Sequence, residues 1–325
     1  MVSSLLRRTG FGVLALFLGL SGSYVFFTTK YTLKLTGRAL VHSYWTWLRG
    51  MFTGRSYEQG LYSSHVFADA SSAFGRTLIL LVLTFVFVLL ASVPLGCLAA
   101  LKRGSLLDLV LRAVSYGGWA VPAFLSATIL QEALGRLPGG WGLPWFPYIG
   151  WAGECPNGQG IDQHTFQCPS GGHGLSHVGL VLDHLVVPAL ALALGFIGLQ
   201  ARYLRNALVD VLNEPYITVA RAKGLTERAL VLRHGVRNAL VTFVPAVVSD
   251  FGAIFGAALA VDFIFQLGGI GTLFVNALKL NVDAFVPVDT YAIQIALLLG
   301  GALMLTLAML GEVALWMLDP RVRQD

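Results

Sequence analysis

Six stretches of the chain are apolar for long enough to cross a membrane as α-helices. About 20 residues of helix span the hydrocarbon core of a bilayer. Of the 325 residues, 56% are hydrophobic and only 12% charged, a balance that excludes an ordinary soluble domain. The sequence therefore predicts an all-α membrane protein, a single domain over residues 1–325, with spanning helices near 9–29, 77–101, 107–134, 180–204, 239–265 and 290–317.

Lysines and arginines indicate the orientation, because the cytoplasmic loops of membrane proteins are enriched in them. With the N-terminus inside, most basic residues lie on the cytoplasmic side, and so does the C-terminus. The net charge of +5 then follows from topology and predicts no nucleic-acid partner. The first apolar run follows Arg7 and Arg8 as a signal peptide would, but it has no clear small-residue cleavage site. We interpret it as a retained helix.

Two long loops are predicted outside the cytoplasm, at 30–76 and 135–179. The first carries aromatic residues that we expect at the membrane interface, among them Trp45 and Trp47. The second contains Cys155 and Cys168, which an oxidising exterior would allow to form a disulfide. Its histidines match no compact metal-ligand spacing, so no metal site is expected; they are His164, His173 and His177.

The cytoplasmic loop at 205–238 contains a short helix with marked ends. Asn213 and Glu214 can cap it, Pro215 suits its first turn, and Gly224 suits a left-handed end. Thr226 then suits the N-cap of a second helix. The sequence therefore predicts about two turns of helix projecting from the membrane domain.

The surface of this short helix is small and basic. Val219 and Ala220 allow a neighbouring backbone to approach closely, while Arg221 and Lys223 supply charge. This combination predicts a knob that fits a groove on a cytoplasmic partner. The alternative is an ordinary basic loop, which topology alone would require.

Asp250 lies in the middle of the fifth predicted span, where an ionisable side chain is costly and needs a partner or a cavity. Asp262 and Glu312 lie nearer the helix ends, where water and headgroups lower that cost. For Asp250, a transport-pathway role and a buried hydrogen bond within the bundle both remain open. Pro122 and Pro188 are expected to bend the third and fourth spans.

Common catalytic motifs are absent from the sequence. It contains no phosphate-binding loop, no Gly-x-Ser-x-Gly turn and no His-Glu-x2-His helix. We therefore do not expect an enzyme. If transport uses ATP, another polypeptide must bind the nucleotide.

The residues from Ala220 to Leu225, followed by Arg233-His234 and Arg237-Asn238-Ala239-Leu240, resemble the loop motif of permease subunits from bacterial ABC importers of dipeptides and oligopeptides. Further similar segments occur in the same order along the chain. They are Leu5 to Arg8, Arg76-Thr77-Leu78, Pro122 to Phe124, His184 to Leu190, Ile264 to Gly271 and Leu318 to Arg323. The resemblance implies a permease fold like that of type I ABC importers, with a cytoplasmic coupling helix.

In that family the coupling helix sits in a groove on the ATPase subunit. Thr218 occupies the position of the glutamate in the general Glu-Ala-Ala-x3-Gly motif, which Gly224 ends. The residues that the resemblance assigns to ATPase coupling are Pro215, Tyr216, Thr218, Val219, Ala220, Arg221, Ala222, Lys223 and Gly224.

The resemblance implies half of the translocation pathway of an ATP-driven peptide importer in the bacterial inner membrane. Its partners would be a second related permease, two ATPase subunits that bind ATP and Mg, and an extracytoplasmic binding protein. This chain would hold no cofactor. The alternatives are import of nickel or another small solute, gradient-driven transport through Asp250, and a scaffold that only recruits a cytoplasmic protein.

This sequence departs from the family pattern at its outer side and within one span. Asp262 stands where relatives commonly have Glu, Gly268 replaces the usual Pro, and the Pro-Gly-Asp that often follows the first helix is missing. Asp250 stands where many relatives carry a neutral polar residue. We therefore hypothesise that Asp250 adapts the pathway to cationic or amine groups.

Overall fold

The computed structural model describes residues 2–29, 37–53, 66–136, 150–151, 175–278 and 290–318. All secondary-structure elements within these ranges are helical, so the all-α prediction is confirmed. In chain order they are α1 (Val2–Phe27), α2 (Arg38–Thr53), α3 (Val66–Leu101), α4 (Leu106–Ala120), α5 (Ala123–Arg136), α6 (Leu175–Leu212), α7 (Pro215–Ala222), α8 (Glu227–Ala229), a π-helical turn (Leu230–Gly235), α9 (Val236–Phe265), α10 (Ile270–Leu278) and α11 (Thr290–Leu318).

Within the residues that the structure describes, five stretches of helix are long and apolar enough to cross a membrane, lying in α1, α3, α6, α8 to α9, and α11. A sixth span exists only if α4 and α5 are counted together, and these two meet at 95°. The segment predicted as one span at 107–134 is therefore divided into two helices, and the bend expected at Pro122 is confirmed. Val121 precedes Pro122 and has an extended backbone, because the proline ring disfavours the helical conformation one residue before it. Pro188, in contrast, lies inside the continuous α6.

Several helices extend beyond the predicted spans. Helix α3 begins at Val66, α6 continues to Leu212, and the helical segment that leads into α9 begins at Glu227. The loops predicted at 30–76 and 205–238 are thus largely helical where the structure describes them. Hydropathy predicts only the part of a helix that lies in the hydrocarbon core of the bilayer. The helix itself can continue into water, because its backbone hydrogen bonds do not depend on apolar side chains.

Helix α6 is the centre of the bundle and contacts α3, α4, α5 and α9. Small residues allow the close approaches. A Cβ atom added at Gly198 would lie 2.7 Å from the Cα of Ser115 in α4, and one at Gly96 in α3 would lie 2.9 Å from the carbonyl oxygen of Ala201. Backbones that approach through glycine are typical of helix pairs in membranes.

Helix α2 packs onto α1 and α11 through aromatic side chains. Trp47 is buried, stacks on Tyr24 with ring centroids 4.7 Å apart, and donates a hydrogen bond to Gln294 of α11. Trp47 thus packs against the bundle, while Trp45 is exposed, and the interfacial position of these residues stays a prediction. Their alternation follows the helical period, which turns Trp47 toward the bundle.

Candidate functional site

Helix α7 begins and ends where the sequence predicts. Glu214 precedes it with an extended backbone but without a side-chain cap, and Pro215 is its first residue. Lys223 ends it by donating its N–H to the carbonyl oxygen of Val219, at 3.1 Å. Gly224 then takes a φ of +86°, a conformation that other residues adopt at a cost.

The inner side of α7 is fixed to the membrane domain. Ile217 is completely buried, and the helix packs on the π-helical turn that follows α8. The hydroxyl oxygen of Tyr216 accepts a hydrogen bond from Asn238 Nδ2 of α9, at 2.6 Å. Both anchors hold α7 in one orientation. Ile217 was not selected from the sequence, and Asn238 was noted there only as part of the family motif.

The outer side of α7 presents small and polar residues to solvent. Thr218, Val219 and Ala222 are exposed, and Val219 is 56% accessible. Ala220 is half-buried, while Lys223 is exposed. The result is a smooth surface about two turns long, with an apolar valine at its centre.

Arg221 is paired within its own chain. Its guanidinium donates two hydrogen bonds to Glu227, at 2.6 and 3.3 Å. These bonds to a carboxylate raise the pKa of Arg221. The pair ties the end of α7 to the start of α8, so Arg221 contributes less free positive charge than the sequence suggests.

Helix α7 is joined firmly to both neighbouring spans. Thr226 caps α8 as predicted, accepting the N–H of Ala229 at 3.4 Å. In the following π-helical turn, a Cβ atom at Gly235 would lie 3.2 Å from Leu208 of α6. Helices α6 and α9 therefore meet directly beside α7.

Asp250 lies midway along α9, about 20 Å of helix from either end. Its Oδ2 accepts a hydrogen bond from Gln200 Nε2 of α6, at 3.0 Å, and the side chain is only half-buried. The two roles left open by the sequence are therefore not mutually exclusive. The hydrogen bond is present, and part of the carboxyl group remains accessible.

Asp262 is buried and serves as a helix cap. Its Oδ1 accepts the N–H of Gly269 at 2.9 Å, and its Oδ2 accepts the N–H of Thr272 at 2.8 Å. Thr77 of α3 accepts the N–H of Ile270 at 2.9 Å. The expectation that water near the helix end relieves Asp262 is wrong, since backbone N–H groups of α10 take that place and occupy both carboxyl oxygens.

The structure also brings together Asp108 and Arg205, which the sequence analysis did not select. Asp108 is completely buried in the first turn of α4, and Arg205 reaches it from α6. A signal was present, because Ser105 and Asp108 have the spacing of a capping box. That spacing predicts the start of a helix, but it does not indicate that Asp108 pairs with Arg205.

The remaining predicted residues lie outside the described part of the chain. They are the cysteines of the proposed disulfide, Cys155 and Cys168, and the neighbouring His164, His173 and His177.

Comparison with known proteins identifies the family. Residues 92–324 match the family described as "binding-protein-dependent transport system inner membrane component". The chain belongs to this family. The matched segment includes α4 to α11, and therefore α7, Asp250 and Asp262.

Three relatives show which branch of the family is similar. The oligopeptide transport system permease protein OppB of Mycobacterium tuberculosis is 32% identical over 251 residues, 77% of this chain and 70% of the relative. A Brucella suis protein with a peptide-permease name is 29% identical over 289 residues, 88% of this chain and 81% of the relative. The glutathione transport system permease protein GsiC of Escherichia coli is 25% identical over 285 residues, 87% and 80%.

As a binding-protein-dependent inner membrane component, the protein is a multi-pass permease of an ABC importer. Helix α7 lies at one end of α9, the Asp262 cap at the other, and Asp250 between them.

Proposed function

We propose that this permease forms half of the translocation pathway of an ATP-driven peptide importer, and that α7 couples it to a separate ATPase subunit. The observation that carries the proposal is the two-sided character of α7. Ile217 and Tyr216 fix its inner side, while Thr218, Val219 and Ala222 leave a small, smooth outer side exposed. An exposed valine held this rigidly is suited to burial against a partner.

The proposed mechanism is alternating access. Two ATPase subunits would bind ATP and Mg and close, and their closure would shift α7 together with α6 and α9. The pathway would then open outward to receive substrate, and hydrolysis would reset it. This permease performs no bond chemistry in that cycle.

The proposed substrates are peptides, and the remaining partners are a second related permease and an extracytoplasmic binding protein. The similarity to permeases named for peptides, oligopeptides and glutathione supports this substrate class. The basic loop around α7 supports cytoplasmic termini in the bacterial inner membrane. Uptake of labelled peptides by vesicles containing the assembled importer tests the substrate class.

The coupling role is tested by co-purification from the native membrane in mild detergent. We compare the unaltered protein with Val219→Asp, which places a charge at the centre of the outer side, and with Gly224→Asp, which strains the end of α7. Leu106→Asp is the matched control, because Leu106 is also exposed but begins α4 and lies outside α7.

We expect the ATPase subunits to co-purify with the unaltered protein and the control but to be lost from Val219→Asp. Gly224→Asp should lose them in part. Retention of the ATPase by Val219→Asp at the control level would contradict docking through α7. If no ATPase accompanies the unaltered protein, the ATP-driven mechanism itself is wrong.

A further inference from the structure

One face of α9 is exposed and carries almost no large apolar side chains. Exposed residues at helical spacing along it are Thr242, Pro245, Ser249, Gly252, Ala253 and Gly256. The exposed residues of α1 are of another kind, with Phe11, Leu14 and Leu18 typical of contact with lipid tails. Small and polar residues are instead typical of helix faces that meet protein or a polar cavity in a membrane.

Asp250 lies at the edge of this face, on the side where α9 meets α6. It is one residue beyond the exposed Ser249, and its carboxyl group is half-buried. Gln200 of α6 is 1% exposed and donates its Nε2 hydrogen to Asp250 Oδ2, at 3.0 Å. The pair therefore joins the buried core to the accessible face.

The hydrogen-bonding pattern leaves unused acceptors on both side chains. Gln200 Oε1 is buried and accepts no hydrogen bond from the described residues, and Asp250 Oδ1 likewise accepts none. Rotating the amide by 180° does not help, because it would direct the carbonyl oxygen at the carboxylate. An amide beside a carboxylate must present its N–H2 group, and its oxygen then needs a donor from elsewhere.

The basic residues that follow Gln200 on α6 do not supply that donor. Arg202 lies over the ring of Tyr116, 4.6 Å from its centroid, and Arg205 bonds Asp108. Within the described ranges, no salt bridge reaches Asp250. Among the described residues, the Asp250 carboxylate thus lies in the middle of a span with an amide donor but no cationic partner.

We propose that Asp250 and Gln200 form a binding site for a cationic nitrogen group of the transported substrate, an ammonium or a guanidinium. Such a group carries several N–H donors and one positive charge, so it bonds the accessible part of the Asp250 carboxylate and neutralises it, while the buried Gln200 holds that carboxylate in position. The inference rests on the proposed peptide import, and it assigns the site a preference for lysine-containing or arginine-containing peptides over neutral ones.

The transport test uses the assembled importer in vesicles with two peptides of equal length, Ala-Lys-Ala and Ala-Ala-Ala. Asp250→Asn should lower uptake of the lysine peptide relative to the alanine peptide by roughly tenfold, since a hydrogen bond to a charged group is lost. Gln200→Met should change the ratio in the same direction but less. Asp210→Asn is the control, because it removes a charge from an exposed position of α6. Equal losses for both peptides in Asp250→Asn would overturn the proposal.

A second measurement does not depend on transport. Ala253→Cys places a thiol one turn along the exposed face from Asp250. Its modification rate is measured with a cationic and with a neutral thiosulfonate of similar size, once with Asp250 intact and once combined with Asp250→Asn. We expect a several-fold preference for the cationic reagent that disappears with the carboxylate.

The two measurements separate the possible failures. If the preference of the thiol for the cationic reagent is present and depends on Asp250, but no peptide is taken up, the site is supported and peptide import is wrong. If peptides are taken up normally and no such preference exists, peptide import stands and the cation site is wrong.

Discussion

Asp108 and Arg205 form a two-fold hydrogen-bonded salt bridge between α4 and α6. Arg205 Nε donates to Asp108 Oδ1 at 3.1 Å, and a terminal guanidinium nitrogen donates to Oδ2 at 2.9 Å. The N–H of Gly104 also donates to Oδ2, at 3.0 Å. Arg205 lies two turns before the end of α6, which leads into α7. The bridge therefore holds α4 to the helix that leads into the proposed coupling surface on α7.

Removal of Arg205 is expected to destabilise the fold more than removal of the charge on Asp108. Arg205→Leu leaves a completely buried carboxylate whose one remaining cation among the described residues is Arg112, at 3.5 Å, and should destabilise the fold by roughly 3 kcal/mol or more. Asp108→Asn keeps an acceptor for Gly104, and Arg205, which is 14% exposed, can turn toward water. Its cost should be about 1–2 kcal/mol. Thermal unfolding of the purified protein in detergent measures both.

Arg112→Leu is the control for this comparison. Arg112 contacts the same carboxylate but is 44% exposed, so its removal should cost less than about 1 kcal/mol. A loss equal to that of Arg205→Leu would show that burial does not determine the strength of the bridge.

The spans and α7 were predictable because their signals are local. Apolar length identifies a helix that crosses the bilayer, and Pro215 with Gly224 marks the ends of a short one. Partners across helices were not predictable. Nothing in the residues around Gln200 indicates that it meets Asp250, and the same holds for Arg205 and Asp108. These contacts depend on which helices pack together, and hydropathy does not contain that information.

The surroundings of the two acidic residues of α9 were likewise not predictable from the sequence. From sequence, Asp250 and Asp262 differ only in their distance from the helix end. In the structure, Asp262 receives N–H groups from the first turn of α10, while Asp250 receives one amide and keeps an accessible oxygen. The turn after Phe265 makes the difference, because it folds α10 back onto Asp262.

The hydrogen bonds that cap α10 predict that two substitutions destabilise the fold by different amounts. Asp262→Ala leaves the N–H groups of Gly269 and Thr272 without their acceptor, and Thr77→Val leaves only that of Ile270. At about 1–3 kcal/mol for each buried donor, Asp262→Ala should destabilise the fold about twice as much. Hydrogen exchange of the α10 amides, measured by mass spectrometry, should accelerate in both.

Thr306→Val controls for loss of a threonine hydroxyl. Thr306 is exposed on α11 and donates to the carbonyl oxygen of Ala302 in its own helix, so no buried donor depends on it. Its substitution should leave α10 exchange unchanged. Unchanged exchange in Asp262→Ala as well would mean that the carboxylate does not cap α10.

The turn before α10 should reject a proline at position 268, the residue that the family resemblance implies there. Gly268 has a φ of +69°, whereas the proline ring fixes φ near −65°. Gly268→Pro should therefore displace α10 and lower the unfolding temperature strongly. Gly268→Ala should cost only about 1–2 kcal/mol for the left-handed conformation, together with a shift of the flexible Arg76 guanidinium.

A double variant tests whether Asp262 and Gly268 depend on each other. The family resemblance implies a glutamate at position 262 and a proline at position 268 in related permeases, and the longer arm of glutamate would reach α10 across a different turn. Asp262→Glu with Gly268→Pro should therefore be less harmful than the sum of the two single changes. Strict additivity would show that the two positions are independent.

The contact between α6 and α4 allows no side chain at Gly198. A Cβ atom there would lie 2.7 Å from the Cα of Ser115, so Gly198→Ala must push the two backbones apart. We expect a net loss of about 1–3 kcal/mol from this overpacking, although alanine favours a helix over glycine by roughly 0.5–1 kcal/mol. Gly19→Ala in α1 meets no atom within 4 Å and should be neutral or stabilising in the same thermal unfolding assay.

Adding Ser115→Gly to Gly198→Ala should restore little of the lost stability, because the obstructing atom belongs to the backbone. Full recovery in that double variant would instead place the conflict at the Ser115 side chain.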